Sequence, residues 1–296
     1  MAPTTDFDPT VHWFPDWDSR SRGWPLTGNP IPLTAICILY VYVVKVWGPK
    51  WMGDRKPFEL RALMAAYNLT LVLLNGFFVW TFVRHGYIAK GYRIIGQGRD
   101  FSTDPLTMHI VHLSWWYYVL RLVEFLDTVF FVLRKKYSQV SALHVFHHVV
   151  VAWNMWMNVT FGGQGQTIFV TVVNSSVHVI MYSYYFLSAL GPTFQRYTWW
   201  KRYLTQLQLT QFCLVFLHST SYLFFKERAI PGFTYVMIVE AVVFLLWFLV
   251  FYSHAYHKGG RSAMDIVTSS AAAATEALAK VATSCSPESL EDKKED

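Results

Sequence analysis

Seven blocks of predominantly apolar residues, 31–49, 62–84, 113–133, 140–160, 166–190, 203–224 and 233–255, follow one another along this chain. At 1.5 Å of rise per residue, each block is about long enough to cross a hydrocarbon core of roughly 30 Å as a helix. Backbone amides in lipid must be satisfied within their own segment, so blocks of this length predict helices rather than open strands. Composition agrees, because only 15% of the 296 residues are charged and 53% are hydrophobic, where globular domains carry about a quarter as charge. The expected architecture is an all-α integral membrane protein, with seven transmembrane helices spanning residues 31–257.

The net charge of +6 and pI near 9.1 would suggest nucleic acid as a partner for a soluble chain. Here Lys and Arg fall mostly between the apolar blocks, where retention of positive loops in the cytosol explains them, and no nucleic-acid partner is expected. Lys50, Arg55, Lys56 and Arg61 follow the first block, Arg134, Lys135 and Lys136 the third, Arg196, Lys201 and Arg202 the fifth, and Lys258 and Arg261 the seventh. Those loops are expected to be cytosolic, which makes residues 1–30 a luminal segment and 258–296 a cytosolic tail. The opposite loops are less basic but not empty, with Arg84, Lys90, Arg93, Arg99, Lys226 and Arg228. The tail is rich in Gly, Ser, Ala and charge and is expected to be disordered. It ends Lys293-Lys294-Glu295-Asp296, a pattern that resembles the dilysine retrieval signal of endoplasmic reticulum membrane proteins. Cys37, Cys213 and Cys285 have no metal-type spacing and imply no disulfide framework.

Ionisable side chains inside such blocks are costly and mark function. The fourth block opens with His144-x-x-His147-His148, whose spacing puts three imidazoles on one side of a helix. The third carries Arg121, Glu124, Asp127 and Thr128, the fifth Asn174, His178 and Tyr182, and the sixth Thr205, Gln208 and Gln211. On the structural reading Arg121 and Glu124, one turn apart, are expected to pair as an internally neutralised salt bridge, which leaves Asp127 to seek a donor, for which a neighbouring imidazole is suitable. Counted from the cytosolic block ends, His147, Asp127, His178 and Gln208 lie roughly 9 to 18 Å deep. The four patches are therefore expected to meet in one cavity open to the cytosol, with Lys135, Lys136, Lys201 and Arg202 at a mouth suited to a phosphorylated ligand.

These residues, as Arg121-x-x-Glu124-x-x-Asp127-Thr128, His144-x-x-His147-His148, Asn174-Ser175-x-Val177-His178-x-x-Met181-Tyr182-x-Tyr184-Tyr185 and Thr205-x-x-Gln208-x-x-Gln211, resemble in order the four signature motifs of the ELO family of very-long-chain fatty acid elongases. The resemblance covers about residues 30–257. The first motif usually begins with lysine, so Arg121 keeps the charge but not the shape or the ability to lose a proton. Membership implies a condensing enzyme that joins malonyl-CoA to a long acyl-CoA and releases CO2 and CoA, with no cofactor or metal. It also implies membrane lipid as surroundings, reductase and dehydratase enzymes as partners, and an apolar tunnel for the acyl chain. His147 is implied as the acyl-accepting nucleophile, with His178 facing it and His144 and His148 in support. Glu124 and Asp127 would set imidazole tautomers, while Asn174, Gln208 and Gln211 would hydrogen-bond carbonyl oxygens. Arg121 and Tyr182 are grouped with Gln208, Gln211 and the mouth cations as substrate-binding.

Three rival readings remain. A histidine-box di-iron enzyme would use the same His-x-x-His-His, with His109-x-x-His112 and His254-x-x-His257 as further ligands, although these pairs are expected at opposite membrane faces. A seven-span receptor shares the topology but has no use for a histidine–carboxylate cluster. Polar stripes can also serve only as interhelical hydrogen bonds. Of the glycosylation-type sequences, those at Asn68 and Asn174 fall within spans, and Asn158 lies near the luminal end.

Overall fold

The computed structural model describes residues 17–224 and 231–256, and among these every regular element is helical. The chain divides into two compact units, Met1–Phe244 and Leu245–Asp296. Helix α1 is Pro30–Tyr42, continued by a π-helical turn at Val43–Trp47 and a short helix at Gly48–Trp51. Then come α2 Arg61–Phe82, with a second π turn at Val83–Ala89, α3 Pro105–Val123, α4 Leu126–Leu133, α5 Ala142–Thr160, α6 Ile168–Ala189, α7 Lys201–Ser221 and α8 Pro231–Tyr256. The second unit contributes, within the described residues, only the C-terminal part of α8. Residues 1–16, the loop residues Lys226 and Arg228, and the tail with Lys258, Arg261, Cys285, Lys293 and Lys294 lie outside the described residues.

Helix starts follow ordinary capping chemistry. Asn29 accepts from the Ile31 amide ahead of Pro30, Asp104 accepts from the Leu106 and Thr107 amides ahead of Pro105, and Ser141 accepts from the His144 amide. Three helical stretches, Pro30–Trp51, Arg61–Ala89 and Gly232–Tyr252, are long and apolar enough to cross a membrane. Their large side chains are widely exposed, Leu73 and Trp80 at 65% and Val239 at 61%, faces that only lipid would cover without penalty. The described residues are all-helical, with the long apolar helices of a membrane protein. Helices α5, α6 and α7, 19 to 22 residues long, coincide with three further expected blocks and α3 overlaps a fourth, all of them diluted by interior polar residues.

The expected third block, 113–133, is corrected twice. Its helix begins at Pro105, because Asp104 caps it there, so His109 and His112 lie within the helix rather than ahead of it. It also breaks at Glu124–Phe125, where tight bonds from Phe125 N to Leu122 O and from Asp127 N to Glu124 O replace the regular ladder. Helix α2 packs along α6, and α3 along α5. Their shared core includes Leu71, Phe82, Ile110, Tyr118 and Ile168, all shielded from solvent.

Residues 17–29 are part of this packing rather than a loose leader. The Asp18 amide donates to Thr160 O at 2.7 Å, and Ser21 Oγ donates to Val159 O at 2.7 Å. Arg20 holds Asp18 at 2.7 Å and also reaches Ser102 O and Gln164. The segment thereby grips the C-terminal end of α5 and the turn beyond it. Gly162, at φ +70°, sits where a Cβ would strike the Phe101 ring and Asp18, so only glycine fits that turn.

Candidate active site

Helix α3 ends on Arg121 and Glu124, and around them the helices supply a closed set of partners. Arg121 is 1% exposed and Glu124 2%, with Arg121 Nη2 2.9 Å from Glu124 Oε1. From α2, Asn75 donates to its own helix at Leu71 O, which turns its Oδ1 to accept from Arg121 Nη2 at 2.8 Å. From α6, Asn174 Oδ1 accepts from Arg121 Nη1 at 3.1 Å and from Tyr117 OH at 2.9 Å. The guanidinium also lies 4.3 Å from the Tyr117 ring centroid. Two carboxamides, a carboxylate and an aromatic face thus satisfy a buried cation that lipid alone could not.

The same guanidinium bears on the tautomer of His178. Arg121 Nη1 is 2.9 Å from His178 Nδ1, and Glu124 Oε1 is 3.2 Å from that nitrogen. One nitrogen cannot accept from arginine and donate to glutamate at once. Guanidinium nitrogens have only donors, so the Arg121 contact is a hydrogen bond in the tautomer with the lone pair on Nδ1 and the proton on Nε2, and the Glu124 contact is one in the tautomer protonated at Nδ1. In both, Glu124 neutralises the guanidinium.

Asp127 is partnered differently from expectation. Beyond the break at Glu124 its carboxylate accepts from Tyr182 OH at 2.7 Å rather than from an imidazole, and Tyr182 is fully buried. The three histidines of α5 also separate. Positions i+3 and i+4 lie on opposite sides of position i, about 100° apart around the helix. His144 and His148 meet edge to face at 4.5 Å between centroids; His148 lies 6.0 Å from Phe125, and His144 Nε2 is 3.0 Å from Thr128 Oγ1, itself 2.7 Å from Tyr40 OH. His147 turns instead to Phe244, with 5.0 Å between ring centroids, and its Nδ1 is buried without a partner.

His147 lines a cavity of about 70 Å3 together with Tyr117, Asn154, Asn174, Gln211, Glu240 and apolar side chains. A smaller cavity of about 20 Å3 shares Met155, Val170 and Met237 with it and runs on to Gln166, Thr234 and His218. The structure therefore brings His147, Asn174 and Gln211 to one cavity, and Arg121, Glu124 and His178 to a polar cluster joined to it through Asn174 and Tyr117. Gln208 stays apart, with its amide toward Met181 Sδ at 3.7 Å. Of the mouth cations, Lys135 donates to Gly53 O at 2.8 Å, while Lys136, Lys201 and Arg202 are exposed.

Asn75 and Tyr117 escaped the sequence reading. A second asparagine, one heptad after Asn68 in a largely apolar block, was the available signal for the first, and an aromatic one turn before Arg121 for the second. Asn158 is 3% exposed and accepts from Thr167 Oγ1 at 2.8 Å, which explains a buried amide at a glycosylation-type sequence. Among the described residues no cluster of His, Cys, Asp and Glu side chains is arranged to hold a metal ion. His112 stacks on Trp24 at 4.4 Å and His109 meets His85 at 4.7 Å. His257 and the side chain of His254 lie outside the described residues.

A family model described as GNS1/SUR4 matches residues 25–264. Very long chain fatty acid elongase 7 of Rattus norvegicus is 45% identical over 252 residues, 84% of this chain and 89% of the rat protein. Very long chain fatty acid elongase 1 of Homo sapiens is 41% identical over 246 residues, 82% of this chain and 88% of the human one. Very long chain fatty acid elongase 4 of Mus musculus is 41% identical over 277 residues, covering 90% and 88% respectively. With the matched region enclosing both the cavity of His147 and the cluster of Arg121, the chain belongs to the ELO family, also described as GNS1/SUR4.

Proposed function

We propose that this protein is the condensing enzyme of fatty acid elongation, converting a long-chain acyl-CoA and malonyl-CoA into a 3-oxoacyl-CoA two carbons longer, with release of CO2 and CoA. Family membership supports the reaction class. The observation that carries the reading to this site is the placement of His147, buried with an uncommitted ring nitrogen, in the cavity that Asn174 and Tyr117 connect to the Arg121–Glu124–His178 cluster.

In the proposed chemistry an imidazole nitrogen of His147 attacks the acyl-CoA thioester carbon. The C–S bond breaks, CoA leaves as a thiol after gaining a proton, and an acyl-imidazole remains. Malonyl-CoA loses CO2, its C–C bonding pair becomes the enolate, and the enolate carbon attacks the acyl carbon while the C–N bond breaks; the departing ring nitrogen takes up a proton from water, which replaces the one lost to CoA and restores His147. His178, holding its proton on Nε2, is the donor toward the developing oxyanion, and Asn174 and Gln211 supply further amide donors. Glu124 keeps Arg121 neutralised so that Arg121 can hold His178. Asp127 and Tyr182 act as a positioning pair, while His144 and His148 back His147. Acyl-CoA and malonyl-CoA are substrates, and the scheme uses no cofactor.

An acyl chain needs the two small cavities joined, and Met155 and Met237 on their shared boundary are side chains that repack readily. The same reading takes the seven helical segments as seven spans enclosing this tunnel, with the histidine site in the cytosolic half. It takes 1–30 as luminal, 31–257 as the catalytic membrane domain and 258–296 as a cytosolic tail. Loop charge supports that orientation, Lys293-Lys294 supports retention in the endoplasmic reticulum, and a 3-oxoacyl-CoA product requires a reductase and a dehydratase downstream. Purified protein given acyl-CoA alone is expected to release CoA and gain the acyl mass on His147, and to yield the elongated 3-oxoacyl-CoA once malonyl-CoA is added. Absence of the longer product overturns the reaction class, and turnover without an adduct or CoA release overturns the acyl-imidazole.

A further inference from the structure

The cavity of His147 contains a second polar station that the condensation chemistry does not use. Asn154 stands seven residues after His147 on α5, two turns on and on the same face, and both side chains line the cavity. Asn154 is 6% exposed. Its Nδ2 donates to Glu240 Oε2 of α8 at 2.5 Å, and its Oδ1 is buried with no partner. A carboxyl group and an unsatisfied amide oxygen therefore face the space through which an alkyl chain would run.

The other polar atoms of this wall are differently disposed. Asn174 and Tyr117 are bonded to each other, and Asn174 also to Arg121. Two buried atoms remain without partners in the same cavity, His147 Nδ1 and Asn154 Oδ1. Buried polar atoms in folded proteins are normally satisfied, and those that are not call for an explanation. A plain methylene chain lying against Asn154 would keep its oxygen from water and give it no donor. A chain with a hydroxyl at that level would donate its one proton to Asn154 Oδ1 and accept from Glu240 when that carboxyl is protonated.

We propose that Asn154 and Glu240 form a specificity subsite for acyl chains that carry a hydroxyl near mid-chain, seven residues of helix beyond the acyl-accepting histidine. The distance is about 10 Å, the reach of about eight carbons of extended chain from the carbonyl. The inference rests on the elongase reading of the cavity and deepens it. Discrimination of this kind is strong when a site's buried polar groups are left unpaired by the analogue that lacks the hydroxyl.

The test uses full-length protein in detergent and four long acyl-CoAs of equal length: one saturated, and three with the hydroxyl near the carbonyl, at mid-chain or near the methyl end. Thermal stabilisation by each acyl-CoA reads binding without turnover, and kcat/KM with malonyl-CoA reads elongation. The mid-chain isomer is expected to exceed both other isomers by about tenfold, one satisfied buried hydrogen bond expressed as a ratio. In Asn154→Leu the three isomers are expected to become equal, and the isosteric Glu240→Gln to retain part of the preference. Equal stabilisation by the three isomers in the unaltered protein overturns the subsite, as does a preference that Asn154→Leu leaves intact. Failure to elongate any of the four, with the binding preference present, overturns the elongase reading and leaves the subsite standing.

Discussion

Arg121 Nη1 and His178 Nδ1 lie 2.9 Å apart between α3 and α6, and because a guanidinium can only donate, this contact is a hydrogen bond when the histidine holds its proton on the far nitrogen. A lysine at position 121 would place one ammonium where a two-armed fork now reaches Asn75, Asn174, His178 and Glu124. Arg121→Lys is therefore expected to fold and keep Glu124 paired, but to lower kcat by about tenfold or more as His178 loses its fixed orientation. Arg121→Leu strands a buried carboxylate, at a cost of about 3–5 kcal/mol, and should fail to accumulate as folded protein. Thermal unfolding in detergent and initial rates separate the two effects.

His147→Ala removes a ring whose buried Nδ1 has no hydrogen-bond partner among the described residues. Its unfolding temperature should stay near that of the unaltered protein, while turnover falls by about a thousandfold or more, as when a nucleophile is removed. If the helices merely used this histidine for packing, stability would fall and the rate would not. His144→Ala releases Thr128 and Tyr40 and should show the opposite balance, with a clear loss of stability and a smaller loss of rate.

Tyr182→Phe removes the 2.7 Å donor of the part-buried Asp127 carboxylate, a penalty of about 1–3 kcal/mol. Asp127→Asn should be milder, because a carboxamide oxygen still accepts from Tyr182. An equal loss in both variants, measured by thermal unfolding, would show that the pair is not the operative contact.

The loop between α2 and α3 has a predictable acid limit. Burial works to raise the Asp100 carboxyl, but hydrogen bonds from Ser102, Tyr92 and Thr107 outweigh it and hold the group below its usual range. Asp104 is lowered chiefly by Lys90, with Thr107 and Ser102 adding to it. Depressed acids stabilise the fold above the ordinary carboxylate value of about 4 and lose that contribution as pH falls through the lower folded value. The loop should therefore resist proteolysis from neutral pH down to about 4 and open only in stronger acid. Asp100→Asn should open it at neutral pH and flatten the dependence on acid.

Periodic apolar length made the helices readable, but it could not place their ends. The Asp104-Pro105 cap was visible in the sequence, yet Thr107, His109 and His112 lowered hydropathy enough to move the apparent start of the third block to 113. The histidine motif was legible as chemistry and not as geometry, since the spacing that brings His144 and His148 together necessarily turns His147 aside. Arg121, Glu124 and His178 could be listed from sequence, but their mutual arrangement depends on Asn75, which comes from a helix with no other sign of function. Asp127 found a tyrosine because the break after Glu124 rotates it off the stripe that an unbroken helix would have kept.

The grip of Arg20 and Asp18 on the turn after α5 reaches further than its position near the amino terminus suggests. That turn leads directly into Gln166 and Thr167, which line the far end of the smaller cavity, where Gln166 is bound to Thr234 at 3.0 Å. The floor of the interior is thus braced from outside by a strap belonging to neither helix it joins. Whatever disturbs residues 17–21, whether a fused tag, a truncation or a bound antibody, acts mechanically on the end of the smaller cavity that Gln166 and Thr167 line.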